Sequence, residues 1–305
     1  MKNRIESGAE QIPSPEREQG LNVHAVLEFG RHEVPGKTPE GMSADYLKPE
    51  GKQRAAAMGE EITEKNLGGY ASPKERAQET VDLEMQAAEI FSEGGVNIVN
   101  QKQENLAGGS QDLSAQKEGN EFKVKVSDEL DAIADFGKVM PACKKWAEAQ
   151  QADGSKRGLY ELIVQHYLDN IELSEHAGVM TPHEAATEIA YRVAREVGMT
   201  EKFLNDTDIR LVNITHGPKL EPFLLEVVDE FKTLEDMDDA LNPGESFEVE
   251  VNTDDQGQKT IKLNLRGKSY DINEKALAKL SEEYLEKVKP EREKRAAEIG
   301  KSLEK

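Results

Sequence analysis

The stretch NVHAVLEFGRHEVPGKT, residues 22–38, decides the fold. Val23, Ala25, Leu27 and Phe29 share one side and Val26 the other, the pattern of a strand buried on at least one face. Directly after it come Arg31 and His32, then a loop punctuated by Pro35, Gly36, Pro39 and Gly41. Two nitrogen-rich side chains at the tip of a buried strand belong either to an ordinary surface loop or to a site. A second apolar run, IRLVNIT at 209–215, ends in the same way, in His216-Gly217. In parallel α/β sheets the functional groups gather beyond the carboxyl ends of the strands, so the repeated pattern favours a site.

Working outward, LKPEGKQRAAAMGEEITEKN (47–66) reads as a helix, with Pro49 in its first turn and Ala55, Met58 and Ile62 at helical spacing. GYA at 69–71 reads as a short strand. Ser72 reads as the N-cap of the next helix, with Pro73 at its first position and Glu75 three residues on. The glycine pairs at 68–69, 94–95 and 108–109 read as turn residues, residues 93–120 as an irregular insertion, and FKVKV at 122–126 as a strand. Residues 139–152 and 157–173 are helical in pattern. Thr181-Pro182-His183-Glu184 is a capping box opening a helix with Ala185, Ala186, Ile189, Val193, Ala194 and Val197 inward and Gly198 at its end.

LEPFLLEVVDEF (220–231) continues as a helix, and SFEVEVNT and KTIKLNL bracket DDQGQ as a hairpin. A calcium loop is excluded there, because Leu263 stands where a bidentate glutamate is needed. From 275 onward the chain is a charged helix interrupted by Pro290.

The order predicts an α/β three-layer sandwich, with a mostly parallel central sheet flanked by helices and a late β-hairpin addition. Residues 1–20, polar and carrying two prolines, read as a flexible tail. Residues 21–305 read as a single domain with insertions at 84–127 and 240–275 and the charged helix at 275–305.

The 305 residues carry 39 basic and 60 acidic side chains, a formal charge of −21. That balance excludes nucleic-acid backbones and anionic membranes as large-surface partners, although a local arginine pocket can still hold a small anion. The single cysteine, Cys143, excludes an intrachain disulfide and reads as a residue without chemistry. No apolar run is long enough for a membrane span, and the N-terminus lacks the apolar core of a signal peptide, so the expected location is the cytoplasm. His24, His166, His176 and His183 show no metal-ligand spacing, and no metal is expected.

GRHE at 30–33, LKPEGKQRAAAMGEEI at 47–62, YASPKERAQET at 70–80 and VNITHGPKLEPFL at 212–224 resemble, in order, the signature of the histidine phosphatase superfamily, the phosphoglycerate-mutase-like group. The resemblance implies that fold and hydrolysis of a small-molecule or peptide phosphomonoester through a phosphohistidine, with no metal or other cofactor. It makes His32 the nucleophile, Arg31 and Arg76 the clamps on the phosphate oxygens, and His216 the histidine completing the pocket. The physics agrees. Phosphoryl transfer needs an in-line nucleophile and positive donors around the equatorial oxygens. Arginine supplies a permanently charged fork matched to phosphate. Two arginines beside His32 disfavour its imidazolium form.

Two departures stand out. Position 33 is Glu where the family triplet ends in Gly, and Glu33 is expected to point away from the pocket. The family's leaving-group acid is expected within SDELDAIADFG (127–137), with Asp131 first and Glu129 and Asp135 behind it. Two alternatives accompany this reading. One is a catalytically weak phosphate-binding regulatory or scaffold protein. The other is a phosphoglycerate-type mutase, ranked lower because EVPGKTPEGMS lacks the expected tryptophan-and-asparagine pattern.

Overall fold

A computed structural model describes residues 19–39, 43–88, 124–133 and 135–294; the proposed tail to residue 18 and the whole 93–120 insertion lie outside them. The deciding stretch forms strand β1 (Val23–Arg31), followed by a small antiparallel ribbon of β2 (Pro35–Lys37) and β3 (Ser43–Leu47). Helix α1 (Pro49–Glu60), strand β4 (Asn66–Ala71), helix α2 (Glu75–Ala87) and the short β5 (Lys125–Val126) come next. Four helices fill the middle of the chain: α3 (Met140–Ala152), α4 (Leu159–Asp169), α5 (Ile171–Ala177) and α6 (Pro182–Thr200). Strand β6 (Asp208–Thr215) and helix α7 (Leu220–Val227) precede β7 (Ser246–Thr253), β8 (Lys259–Leu265), β9 (Lys268–Asp271) and helix α8 (Glu274–Glu283).

The main sheet has the order β5-β4-β6-β1-β7-β8-β9. The β5, β4, β6 and β1 strands run parallel, and β7 to β9 extend the sheet antiparallel, so the expected hairpin is present as β7–β8. Strand alternation sends β6 side chains both ways. Val212 and Ile214 pack with Ala77, Val81 and Met85 of α2, whereas Ile209 and Leu211 join Ile189, Val193, Phe223 and Leu224 on the opposite face. Helices therefore cover both faces, and the architecture is the α/β sandwich anticipated. Phe29, Phe223 and Phe247 stack through this second layer with centroids 5.5 Å apart, each burial contributing about 1.5–3 kcal/mol. Cys143 is buried among Val139, Ala147, Leu162 and Tyr167. Among the described residues no helix is long and apolar enough to cross a membrane.

Register positions the site. Arg31 pairs with Thr215, and Ala71 with Ile214, so β1, β4 and β6 end within a residue of one another. The next residues along, His32, Ser72 and His216, consequently emerge side by side.

Several local expectations are corrected. Gly68 and Gly69 lie inside β4, not in a turn; a side chain on Gly68 would come within 2.7 Å of Leu211 Cδ2. Helix α6 passes through Gly198 to Thr200. Pro290 does not break the last helix, because a π-turn over Tyr284–Val288 precedes it and helix continues to 294. The β2–β3 ribbon and β9 had no clear sequence signal.

Candidate active site

His32 leaves β1 with its backbone N–H donating to Thr215 O at 3.0 Å. Its Nδ1 lies 2.7 Å from Glu33 O, an acceptor, so Nδ1 carries the proton and Nε2 a free lone pair. The Arg76 Nε–H donates to that lone pair at 3.1 Å. His216 is arranged in the opposite sense. Its Nδ1 faces Arg76 Nη2 at 3.4 Å, and its Nε2 lies 2.7 Å from Ser72 Oγ. Since Arg76 can only donate, His216 is protonated at Nε2. The two imidazoles meet at a centroid distance of 4.8 Å and an angle of 63°. One guanidinium thus spans both rings.

Burial depresses the pKa of both histidines, with neighbouring charge adding to it. His32 falls to about 3, through burial first and then Arg76 and Arg31, against the opposing hydrogen bond to Glu33 O. His216 falls to about 2, through burial, then His32 and Arg76. Both rings are neutral at physiological pH, which leaves His32 Nε2 nucleophilic. Arg76 is itself lowered by burial, partly offset by Asp45.

Arg31 completes the cationic side. Its guanidinium lies 4.0 Å over the Tyr160 ring of α4, and Nη1 donates to Leu241 O at 3.0 Å. Its charge acts on His32 and Arg76 together. The chain must pass close here: a Cβ on Gly217 would sit 1.9 Å from Tyr160 Oη and 3.2 Å from Arg31 Nε, so glycine is required beside His216. Buried Glu221 of α7 accepts from Leu241 N at 3.1 Å; burial raises its pKa, against the pull of Arg31.

The structure therefore brings Arg31, His32, Arg76 and His216 together. The three candidate acids form their hydrogen bonds elsewhere. Asp131 Oδ1 accepts from Ala132 N, Glu129 accepts from Ser127 Oγ at 2.6 Å, and Asp135 pairs with Lys138. The Asp131 loop is nonetheless tied to the site by its backbone. Thr215 Oγ1 donates to Leu130 O at 2.6 Å, and the buried Lys219 Nζ, three residues past His216, donates to Asp131 O at 2.7 Å and to Glu188. Among the described residues, the carboxylate paired with a cradle guanidinium is Asp45 on β3, 3.1 Å from Arg76 Nη1 and largely exposed.

Sequence reasoning missed Asp45, Thr80, Tyr160, Lys219 and Glu221, and it misassigned Ser72. Helix α2 begins at Glu75 with Lys74 as an N-cap lacking a side-chain bond. Ser72 Oγ instead faces His216 and accepts from Lys74 N. The Ser-Pro-x-Glu pattern was a true local signal whose hydroxyl a tertiary partner took over. Glu33 does turn away from the pocket, as expected, onto Arg54. Among the described residues no group of three or more His, Cys, Asp or Glu side chains is arranged to hold a metal ion.

No family model matches the chain. No curated protein matches it. Solved structures similar to it include the protein histidine phosphatase SixA complexed with tungstate, 12% identical over 79% of this chain and 96% of that one, at a TM-score of 0.30. A mycobacterial glucosyl-3-phosphoglycerate phosphatase is 12% identical over 80% and 99%, at 0.43. A phytase of Klebsiella sp ASR1 is 12% identical over 82% and 83%, at 0.38.

Proposed function

We propose that this chain is a phosphomonoester hydrolase that works through a phosphohistidine at His32 Nε2. One observation carries the reading: a buried, neutral His32 protonated on Nδ1, with its Nε2 lone pair turned into a cradle of Arg76, Arg31 and His216. On binding, the phosphoryl oxygens take over the donors that Arg76 now spends on the imidazoles. Nε2 attacks phosphorus in line, the N–P bond forms, and the ester P–O bond breaks. The leaving oxygen takes a proton from a carboxyl, for which Asp131 is the proposed donor on its tethered loop. Water then attacks phosphorus and gives its proton to the same carboxylate, releasing inorganic phosphate and neutral His32. No step calls for a metal.

A test is labelling by a phosphodonor, which should give an acid-labile, base-stable protein adduct in the wild type and none in His32→Ala. Equal labelling of both overturns the reading. The engagement of Asp131, Glu129 and Asp135 outside the cradle favours one second reading, a phosphate-binding protein of slow turnover. Phosphate binding without hydrolysis across sugar phosphates, nucleotides and phosphopeptides would select it.

A further inference from the structure

Glu33 stands beside the proposed nucleophile, and its carboxylate is 2% exposed. A buried carboxylate next to an anion cradle ought to repel its ligand, yet the N–H, the carbonyl and Oε2 of this residue are all engaged. Its N–H donates to Thr80 Oγ1 at 3.2 Å, and Thr80 Oγ1 donates in turn to Arg76 O at 2.8 Å. Its carbonyl takes the His32 Nδ1 proton. Oε2 accepts from Val34 N at 3.0 Å and from Arg54 through Nε at 3.1 Å and Nη2. The remaining oxygen lies against Gly244, where an added Cβ would come within 2.0 Å of it; Gly244 holds φ +81°, open to glycine alone at low cost.

We infer that Glu33, anchored by Arg54, is a positioning residue: its side chain fixes the peptide whose carbonyl holds the proton on His32 Nδ1 and so keeps Nε2 free to attack. The carboxylate turns out of the cradle and is neutralised by Arg54, so it adds order near the nucleophile without opposing the anion. The carbonyl belongs to the 33–34 peptide, whose Val34 N–H is held by the Glu33 carboxylate. A glycine at this position would remove that hold and leave an extra flexible unit of backbone beside the nucleophile, tethered by the Glu33 N–H on Thr80 and by Lys48 N on Val34 O. Second-sphere partners of this kind fix an imidazole's tautomer and ring orientation.

The inference rests on the phosphohistidine reading for its kinetic consequence, but the tautomer can be read without turnover. Full-length protein labelled with 15N in its histidine rings is compared by long-range N–H correlation spectra, with His32→Asn assigning the resonances. Wild type should show His32 protonated on Nδ1. Glu33→Gly and Arg54→Ala should each give a measurable Nε2-protonated population and slow phosphodonor labelling by roughly 10- to 100-fold. Arg54→Lys should recover most of the rate. Arg54 is 53% exposed, so its variants carry the test if Glu33→Gly does not fold. An unchanged tautomer in Arg54→Ala, or faster labelling in Glu33→Gly, overturns the assignment. A tautomer that shifts in Arg54→Ala, in a protein whose wild type no phosphodonor labels, leaves this inference standing and removes the phosphatase reading.

Discussion

The neutral histidine pair makes a quantitative demand on stability at mildly acidic pH. His32 and His216 are 5% and 4% exposed, with folded pKa values of about 3 and about 2. In the unfolded chain each titrates near about 6.5. From about pH 7 to about pH 5 the unfolded state therefore takes up protons that the folded state refuses, and stability falls as pH falls. The loss depends only on the folded values lying well below the window. At about 1.4 kcal/mol per pH unit it comes to about 2 kcal/mol for each ring. Other groups pull the opposite way: burial raises Glu84, Glu196 and Glu221, and acid pairing raises His183. The measurement is consequently a difference between proteins. Urea unfolding at several pH values should show wild type losing about 2 kcal/mol more than His32→Asn, and likewise more than His216→Asn, between about pH 7 and about pH 5. Circular dichroism is the better probe, because Trp146 stacks on His166 and its emission would titrate separately. Parallel stability curves for wild type and both variants would refute the neutral buried pair.

Ser72→Ala removes the acceptor facing His216 Nε2 and the one serving Lys74 N, leaving a buried donor unpaired; urea unfolding should show a loss of about 1–3 kcal/mol, and no loss would remove Ser72 from the site's support. Asp131→Asn should slow phosphorylation of His32 by an alkyl phosphate by roughly 10²- to 10⁴-fold while sparing phosphorylation by p-nitrophenyl phosphate, whose leaving oxygen needs no proton, as read by the pre-steady-state burst. The same selective loss in Asp45→Asn, with none in Asp131→Asn, would transfer the acid's role to β3.

Much of the fold was legible because its signals are local. Val23 to Phe29 read as a strand from its apolar pattern and Ile209 to Thr215 from its apolar run, and Thr181 with Glu184 forms the capping box its spacing describes. Arg31, His32 and His216 were legible because a strand tip is a sequence feature. Arg76 was found through its motif, since nothing local marks the second residue of α2 as part of a pocket. What stayed hidden depends on register across long separations. Ser72 meets His216 across 144 residues and Arg31 meets Leu241 across 210. Tyr160 belongs to a helix whose periodicity shows a buried face without showing that a guanidinium lies on it. Gly68 and Gly69 follow the turn rule in sequence but serve β4 in the fold, where Leu211 leaves no room for a side chain at position 68.

The same long-range pairings bear on how a chain of charge −21 would accommodate the proposed anion. Several acids around the sheet are tied to cations, while burial raises the pKa of Glu84 and Glu221 and so favours their neutral forms. Arg210 holds Glu28, Glu64 and Glu248 together, Arg192 holds Glu196, Lys219 and Arg292 share Glu188, and Arg54 takes Glu33. Buried pairs of this kind add little net stability, because desolvation offsets most of their attraction. Their local effect is larger: each cancels a negative field that would act at short range in a poorly screened interior. Asp45 is the carboxylate that still reaches Arg76, and it does so from an exposed position where water screens it. For the proposed cradle of Arg31, Arg76 and two neutral imidazoles, the global charge is expected to slow encounter with an anion more than it weakens its binding.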